Sequence, residues 1–270
     1  MNRRPVRLHY FKSRKSQPNF GDELAPLVVS YVTGRPCEHA SRWSCELVGI
    51  GSILDRFVQP KGRAVQFAKS LLGRRIKVWG SGLIAPADPV AHGLDVLAVR
   101  GRSTADALGL PADVPLGDPA ILIGEMFQER AKTHAVGIVP HYTDKTHPAV
   151  ERLATGGHVR IIDVNRPPLD VVRDISTCET IVSSSLHGLI VADALEIPNV
   201  RVSFHGKLKG GDFKFGDYAS GVGREDIAAR AIGEMEPVEA LFHEPPDFGY
   251  QKKIAGLAGT LKRTLADAMA

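Results

Sequence analysis

Short apolar runs alternate with helical stretches along most of this 270-residue chain, and that rhythm leaves few folds open. "VRLHYF" (6–11), "RIKVWGSGL" (75–83), "LDVLAV" (94–99), "VGIVPHYT" (136–143), "VRIIDV" (159–164), "CETIV" (178–182) and "NVRVSF" (199–204) read as strands. "GDELAPLVVSYVTG" (21–34) reads as a helix with a glycine stop, Pro26 limiting its first turn. "HPAVERLATGG" (147–157) and "PPLDVVRDIST" (167–177), the second with proline at its start, read as helices too. Strands separated by helices of this size make βαβ units and a mostly parallel sheet. The polar segment "GEMFQERAKTHA" (124–135) breaks the rhythm, which then restarts. The expected fold class is therefore α/β, with two Rossmann-like domains, residues 1–130 and 131–248, and a C-terminal helix over 249–270.

Composition narrows the functions. Apolar residues make up 43% of the chain, enough for a sizeable core. No run approaches the ~18 continuous apolar residues of a membrane span. The charged N-terminus has no apolar stretch of a secretory leader. Cys37, Cys45 and Cys178 match no metal spacing and read as free thiols of a cytoplasmic protein with no metal site. The net charge of +4 suits a small anion, an anionic membrane surface or nucleic acid. Aromatic residues are only 6% and interleave with no basic run, which argues against nucleic acid. In the tail, Ile254, Leu257, Leu261 and Leu265 recur at helical spacing among Lys252, Lys253, Lys262 and Arg263. Such a helix packs on the protein or lies on the inner face of the plasma membrane. Gly256 and Gly259 weaken it in isolation and favour packing.

In an open α/β sheet, ligands bind beyond the carboxyl ends of the strands. Five turns there carry polar residues: "PNFGDE" (18–23), "GSG" (80–82), "VRGRS" (99–103), "PHYTD" (140–144) and "SSSLHG" (183–188). They are expected to face one cleft. The glycines Gly80 and Gly82, around Ser81, permit close backbone approach to an anion. Arg100 and Arg102, followed by Ser103, suit carboxylate or phosphate, or else form surface ion pairs. Asn19, Gly21 and Asp22 precede a helix; Asp22 either caps it or serves an acceptor hydroxyl. His141 sits at another strand end. In the last turn Ser184 and Ser185 can cap a helix beginning near Leu186, whose free N–H groups attract anions beside His187, while Gly188 leaves room for substrate. No GxGxxG follows the first strand and no Walker loop occurs.

"NFGDELAP", "VWGSG", "VRGRST", "GDPA", "SSSLHGLIVADALEIPNV" and "KFGDYA" (214–219) stand in one order. Together they resemble the polysaccharide pyruvyl transferase family, in particular its branch of exopolysaccharide and succinoglycan-type pyruvyl ketal transferases. The resemblance runs from about residue 6 to 220. It implies a two-domain layout like that of GT-B glycosyltransferases, acceptor on the N-terminal side and phosphoenolpyruvate on the C-terminal side. The implied activity moves pyruvate from phosphoenolpyruvate to a sugar of a bacterial surface glycan, free or lipid-linked, as a cyclic ketal. No organic cofactor or metal is implied. The family's phosphoenolpyruvate-associated arginine and histidine match Arg100 and His187, the expected catalytic residues with Asp22. Parts of the family carry an arginine two positions before the histidine, where this chain has Ser185; Lys207, Lys209 and Lys214 are the compensating cations to test. A nucleotide-sugar glycosyltransferase on the same layout is the alternative enzyme, and a glycan-assembly partner with a vestigial pocket the non-enzymatic one.

Overall fold

The computed structural model describes residues 4–12, 19–86, 93–127, 130–154, 158–204, 211–225, 227–230, 232, 238, 241 and 249–270. The protein is α/β with two parallel sheets. The first contains β1 (Val6–His9), β2 (Cys37–His39), β3 (Leu47–Val48), β4 (Ile76–Trp79) and β5 (Leu94–Ala98), in the order β2-β1-β3-β4-β5. The second contains β6 (His134–Val139), β7 (Val159–Ile161), β8 (Cys178–Ser183) and β9 (Asn199–Arg201), in the order β7-β6-β8-β9. Each sheet starts at an inner strand, steps to one side, then reverses. The reversals fall between β1 and β3 and between β6 and β8. Chain ends diverge there, and the gap beyond the carboxyl ends is where such sheets hold ligands.

Helix α1 (Phe20–Thr33) follows β1 and ends at Gly34, which takes the left-handed conformation such a stop needs. It buries Leu24, Ala25, Val28 and Val29 at helical spacing. Pro26 does not cut the helix short. It removes one donor only, the N–H that would have reached the Asp22 carbonyl. One apolar cluster joins Leu8, Leu24, Val28 and Trp79 of the first sheet's layers to Val139, Ile181, Leu189 and Ile190 of the second's.

The tail forms α10 (Gln251–Met269), and its apolar stripe is spent inside the protein. Ile254, Ala258, Leu261 and Leu265 are buried in that shared cluster, and the Trp79 indole N–H donates to the Leu261 carbonyl at 3.0 Å. Each buried leucine stabilises the docked helix by about 1.5–3 kcal/mol. The membrane-lying alternative for this stripe is thereby corrected.

The predicted helices over 147–157 and 167–177 form α6 (Pro148–Leu153) and α7 (Pro168–Ser176), whereas β2, β3, α2 (Asp55–Val58), α3 (Pro60–Leu71), α5 (Ile123–Met126) and α9 (Phe213–Val222) escape the sequence pattern. Strand β2 is a half-exposed edge, and α9 is interrupted by Gly216 and Gly221, so neither carries a clean apolar period. "NVRVSF" shortens to β9, with Val202 bridging Arg230 beyond it.

Candidate active site

The two reversals open into one cavity of about 420 Å³. Three of the five predicted turns line it: Asn19 and Asp22 after β1, His141 after β6, and Ser185, Leu186 and His187 after β8. Lys214, at the start of α9, completes the wall. Lys207 and Lys209 lie outside the described residues.

The other two turns sit behind the wall. The Arg100 guanidinium is fully buried and occupied. Its Nε donates to Asp217 Oδ2 at 3.0 Å, one terminal nitrogen to Ser52 Oγ at 2.5 Å, the other to the Leu83 carbonyl at 2.6 Å. Thr104 adds its backbone N–H and its hydroxyl to the same Asp217 carboxylate, each at 2.7 Å. Gly82 exists for this group: a Cβ there would lie 2.4 Å from the guanidinium carbon. The space beside Gly80 is filled by the Pro119 ring, and that beside Gly188 by Ser183 and Val139, so neither glycine makes room for substrate. The Ser81 hydroxyl donates to the Gly51 carbonyl. Arg102 reaches the Ala112 carbonyl, and it and the half-exposed Ser103 lie in α4 (Arg102–Ala107), away from the cavity.

The β8–α8 turn is built differently. Helix α8 (Leu186–Ala194) begins at Ser185, but no side-chain cap forms. The Ser183 hydroxyl is turned back to the Val139 and Ser185 carbonyls. The Ser184 hydroxyl donates to Asp144 at 2.6 Å and accepts the His141 backbone N–H at 2.8 Å. The expected serine cap is therefore absent, because these hydroxyls tie the turn to β6 and its following loop instead. The residues of the helix start, Ser185, Leu186 and His187, line the cavity, and a helix start leaves its first N–H groups without intrahelical partners.

His187 is buried against α1. A Cβ on Gly21 would lie 2.1 Å from its Nδ1, and the Phe20 ring meets it edge-on at 6.4 Å. Its Nε2 has no hydrogen-bond partner among the described residues. It stands 3.9 Å from Asp118 Oδ2, which is equally unpartnered there. That distance is beyond a hydrogen bond. Burial, reinforced by the Arg100 and Lys214 charges, drives the His187 pKa down to about 3, so the imidazole is neutral. His141 falls to about 4, through burial and Lys214.

The carboxyls move the other way. Burial and the neighbouring Asp118 raise Asp22 to about 7. Burial raises Asp118 to about 6 against the pull of the Ala120 N–H and Arg100. Asp22 lies in the first turn of α1 and accepts from the Asn19 side-chain amide at 2.6 Å; it does not cap the helix. Lys214 is pushed down to about 8 by burial and Arg100, with Asp22 opposing. Its ammonium has no hydrogen-bond partner among the described residues, only the Phe215 ring at 5.2 Å.

Asp118 was not singled out from the sequence, although it stands in "GDPA". Likewise "KFGDYA" supplies Lys214 to the cavity and Asp217 to Arg100, three residues apart on one helical face. The six quoted motifs thus meet around a single cavity and its supporting wall. A sequence profile described as polysaccharide pyruvyl transferase matches residues 19–206. The chain belongs to the polysaccharide pyruvyl transferase family. It is 28% identical over 218 residues to a succinoglycan biosynthesis protein of Rhizobium meliloti, ExoV, covering 80% of this chain and 64% of that protein. It is 33% identical over 160 residues to an uncharacterized protein, L143, of Acanthamoeba polyphaga mimivirus, covering 55% of each. The chain thus spans between half and two thirds of the length of these relatives.

Proposed function

We propose that the protein transfers pyruvate from phosphoenolpyruvate to a sugar of a bacterial exopolysaccharide or cell-surface glycan, forming a pyruvate ketal and releasing phosphate. Family membership supports the class. The observation that carries the chemistry is a carboxyl poised near neutrality, Asp22, in one cavity with a buried cation, Lys214, that has no hydrogen-bond partner among the described residues. Two sheets of matching strand order around one cavity also support the GT-B-like, Rossmann-like reading.

Phosphoenolpyruvate brings a carboxylate and a phosphate. Lys214, the neutral His187 and the free N–H groups of α8 meet that charge. Arg100, behind Ser52 and paired with Asp217, acts as a positioning residue of the wall. The anion in turn pushes Asp22 higher still, so that it enters the reaction protonated. Asp22 gives its proton to carbon 3, and the cation formed at carbon 2 is attacked by the first sugar hydroxyl. That hydroxyl's proton returns to the Asp22 carboxylate. The bond from carbon 2 to the phosphate oxygen then breaks, and the second hydroxyl closes the ketal while its proton leaves with phosphate. One hydroxyl proton thereby replaces the one spent on carbon 3, and no redox step enters. We read the catalyst as needing no organic cofactor or metal for this cycle.

No helix among the described residues is long and apolar enough to cross a membrane. We place the enzyme in the cytoplasm, with an acceptor that is free or carried on a lipid at the inner face of the plasma membrane. The test is mass spectrometry of lipid-linked oligosaccharides after incubation with phosphoenolpyruvate, reading the gain of one pyruvate ketal. A companion thermal-shift panel compares phosphoenolpyruvate with uridine and guanosine diphosphates. Stabilisation by a diphosphate alone would replace this reading with nucleotide-sugar transfer.

A further inference from the structure

Helix α3 buries one side and leaves the other bare. Gly62, Val65 and Gln66 face inward, with Gly62 set against the Arg56 and Phe57 carbonyls. Arg63, Phe67 and Leu71, four residues apart, make the opposite stripe. Phe67 is 67% exposed, and Leu71 and Leu72 are each 72% exposed. Trp43, 64% exposed, stands on a neighbouring loop that is tied to α3 and the residues before it at two points. There Arg42 donates to the Arg56 carbonyl and Lys69 to the Cys45 carbonyl. These four are the most exposed large apolar side chains among the described residues.

Charge accompanies them. From Arg56 to Lys77 the sequence holds seven lysines and arginines and no carboxylate, in a chain whose net charge is only +4. Arg56, Lys61, Arg63, Arg74 and Arg75 are exposed. Carboxylates on flanking segments are committed elsewhere: Asp55 accepts the Ile84 N–H at 2.7 Å, Asp95 pairs with Lys77 at 2.7 Å, and Glu46 pairs with Arg7. Exposed Phe, Leu and Trp ringed by cations that form no ion pair among the described residues match one environment in particular. Acyl chains take the apolar tips, the headgroup layer takes the indole, and anionic headgroups take the cations.

We propose that this face, Trp43, Phe67, Leu71 and Leu72 with the cations of α3, docks on the surface of an anionic phospholipid bilayer. The inference does not depend on the reaction proposed above. It does adjoin the cavity, since Arg56, in the short helix before α3, and Gln59, which precedes the first residue of α3, line the cavity wall. If the acceptor is lipid-carried, it reaches the site along this face.

The full chain is sedimented with vesicles of phosphatidylcholine alone and of phosphatidylcholine with phosphatidylglycerol, at low and high salt. Binding is expected to the anionic vesicles and to weaken with salt. The chain has two tryptophans, and Trp79 is fully buried, so a blue shift on binding reports Trp43. The triple variant Phe67→Ser, Leu71→Ser, Leu72→Ser alters exposed side chains only. It should keep the parent melting temperature and lose ~10-fold or more in vesicle partitioning. Undiminished binding by the triple variant overturns the proposal, as does failure of the parent to bind anionic vesicles. Self-association of the parent that the variant loses, without vesicle binding by either, assigns the face to a second copy and overturns it too.

Discussion

Two turns of the same kind, a parallel strand feeding a helix, flank the cavity and have opposite characters. After β5, Arg100 is met by Asp217, Ser52 and Leu83 and has no exposed surface. After β8, His187 Nε2 has no hydrogen-bond partner among the described residues, and neither has the Asp118 oxygen nearest it. The first turn is closed and the second is open. A buried polar atom left without a partner costs about 1–3 kcal/mol. Such an atom on a residue that lines the cavity, as on His187, marks where binding energy can be recovered, whereas a saturated guanidinium marks a scaffold. An arginine at a strand end is thus a weaker pointer to a ligand than the tally of its partners.

The largest effect is expected opposite the open turn. Asp22→Asn should lower turnover by ~10²–10⁴-fold, the usual worth of a positioned proton donor, while phosphoenolpyruvate still binds. Normal specific activity with early melting would make Asp22 a packing element and deprive the open turn of its chemistry. Next comes the closed turn. Arg100→Met leaves Asp217 buried and uncompensated and should cost about 3–5 kcal/mol of stability, read by chemical denaturation. Arg100→Lys forfeits the planar fork and should melt early as well. An Arg100→Lys protein with parental stability and a raised KM for phosphoenolpyruvate would reopen that turn and break the comparison. His187→Gln, by contrast, should leave the melting temperature nearly unchanged and lower kcat/KM for phosphoenolpyruvate by roughly 100-fold; parental kinetics would make the open turn structural.

Smaller effects sharpen the contrast through pH. Lys214 is held at about 8 in the fold, below the ordinary lysine value of 10.5, so its charged form weakens the fold fully below pH 8. Lys214→Met should raise the melting temperature most below pH 8, the gain fading toward pH 10.5, and should raise KM for phosphoenolpyruvate ~10-fold. Asp22 shifts in the other direction, from 3.8 to about 7, so its ionisation weakens the fold only as pH rises through that window. The melting-temperature advantage of Asp22→Asn should therefore be absent near pH 4 and full above pH 7. A pH-independent difference would remove the burial account of both groups.

Much of this was legible in the sequence. Strands β1, β4, β5, β6 and β8 announce themselves as short apolar runs because parallel strands are covered on both faces. The two sheets' shared strand order was not legible, since β2 is a three-residue polar edge. Within the site, Asp22, His141, Ser185 and His187 lie at strand ends and could be found by that rule. Arg100 could not be judged from its own turn. Its partners Ser52 and Asp217 lie 48 and 117 residues away in sequence, and only the fold shows that they use up its donors. Asp118 was hidden for a related reason: its relevance comes from approaching His187 across the fold, which no local spacing encodes. The exposed face of α3 was missed because its three apolar residues are too few to register as a period beside so many cations.

The contact between Gly21 and His187 carries a consequence for the lineage of such chains. The imidazole occupies the volume a side chain at position 21 would need, so a residue at the front of α1 dictates where a ring 166 residues later can sit. Recombination that joined the front of one relative to the back of another would succeed only where this glycine and this histidine were inherited together. The two sheets, similar as they are in winding, are therefore not interchangeable cassettes: the site between them is heritable only as a pair.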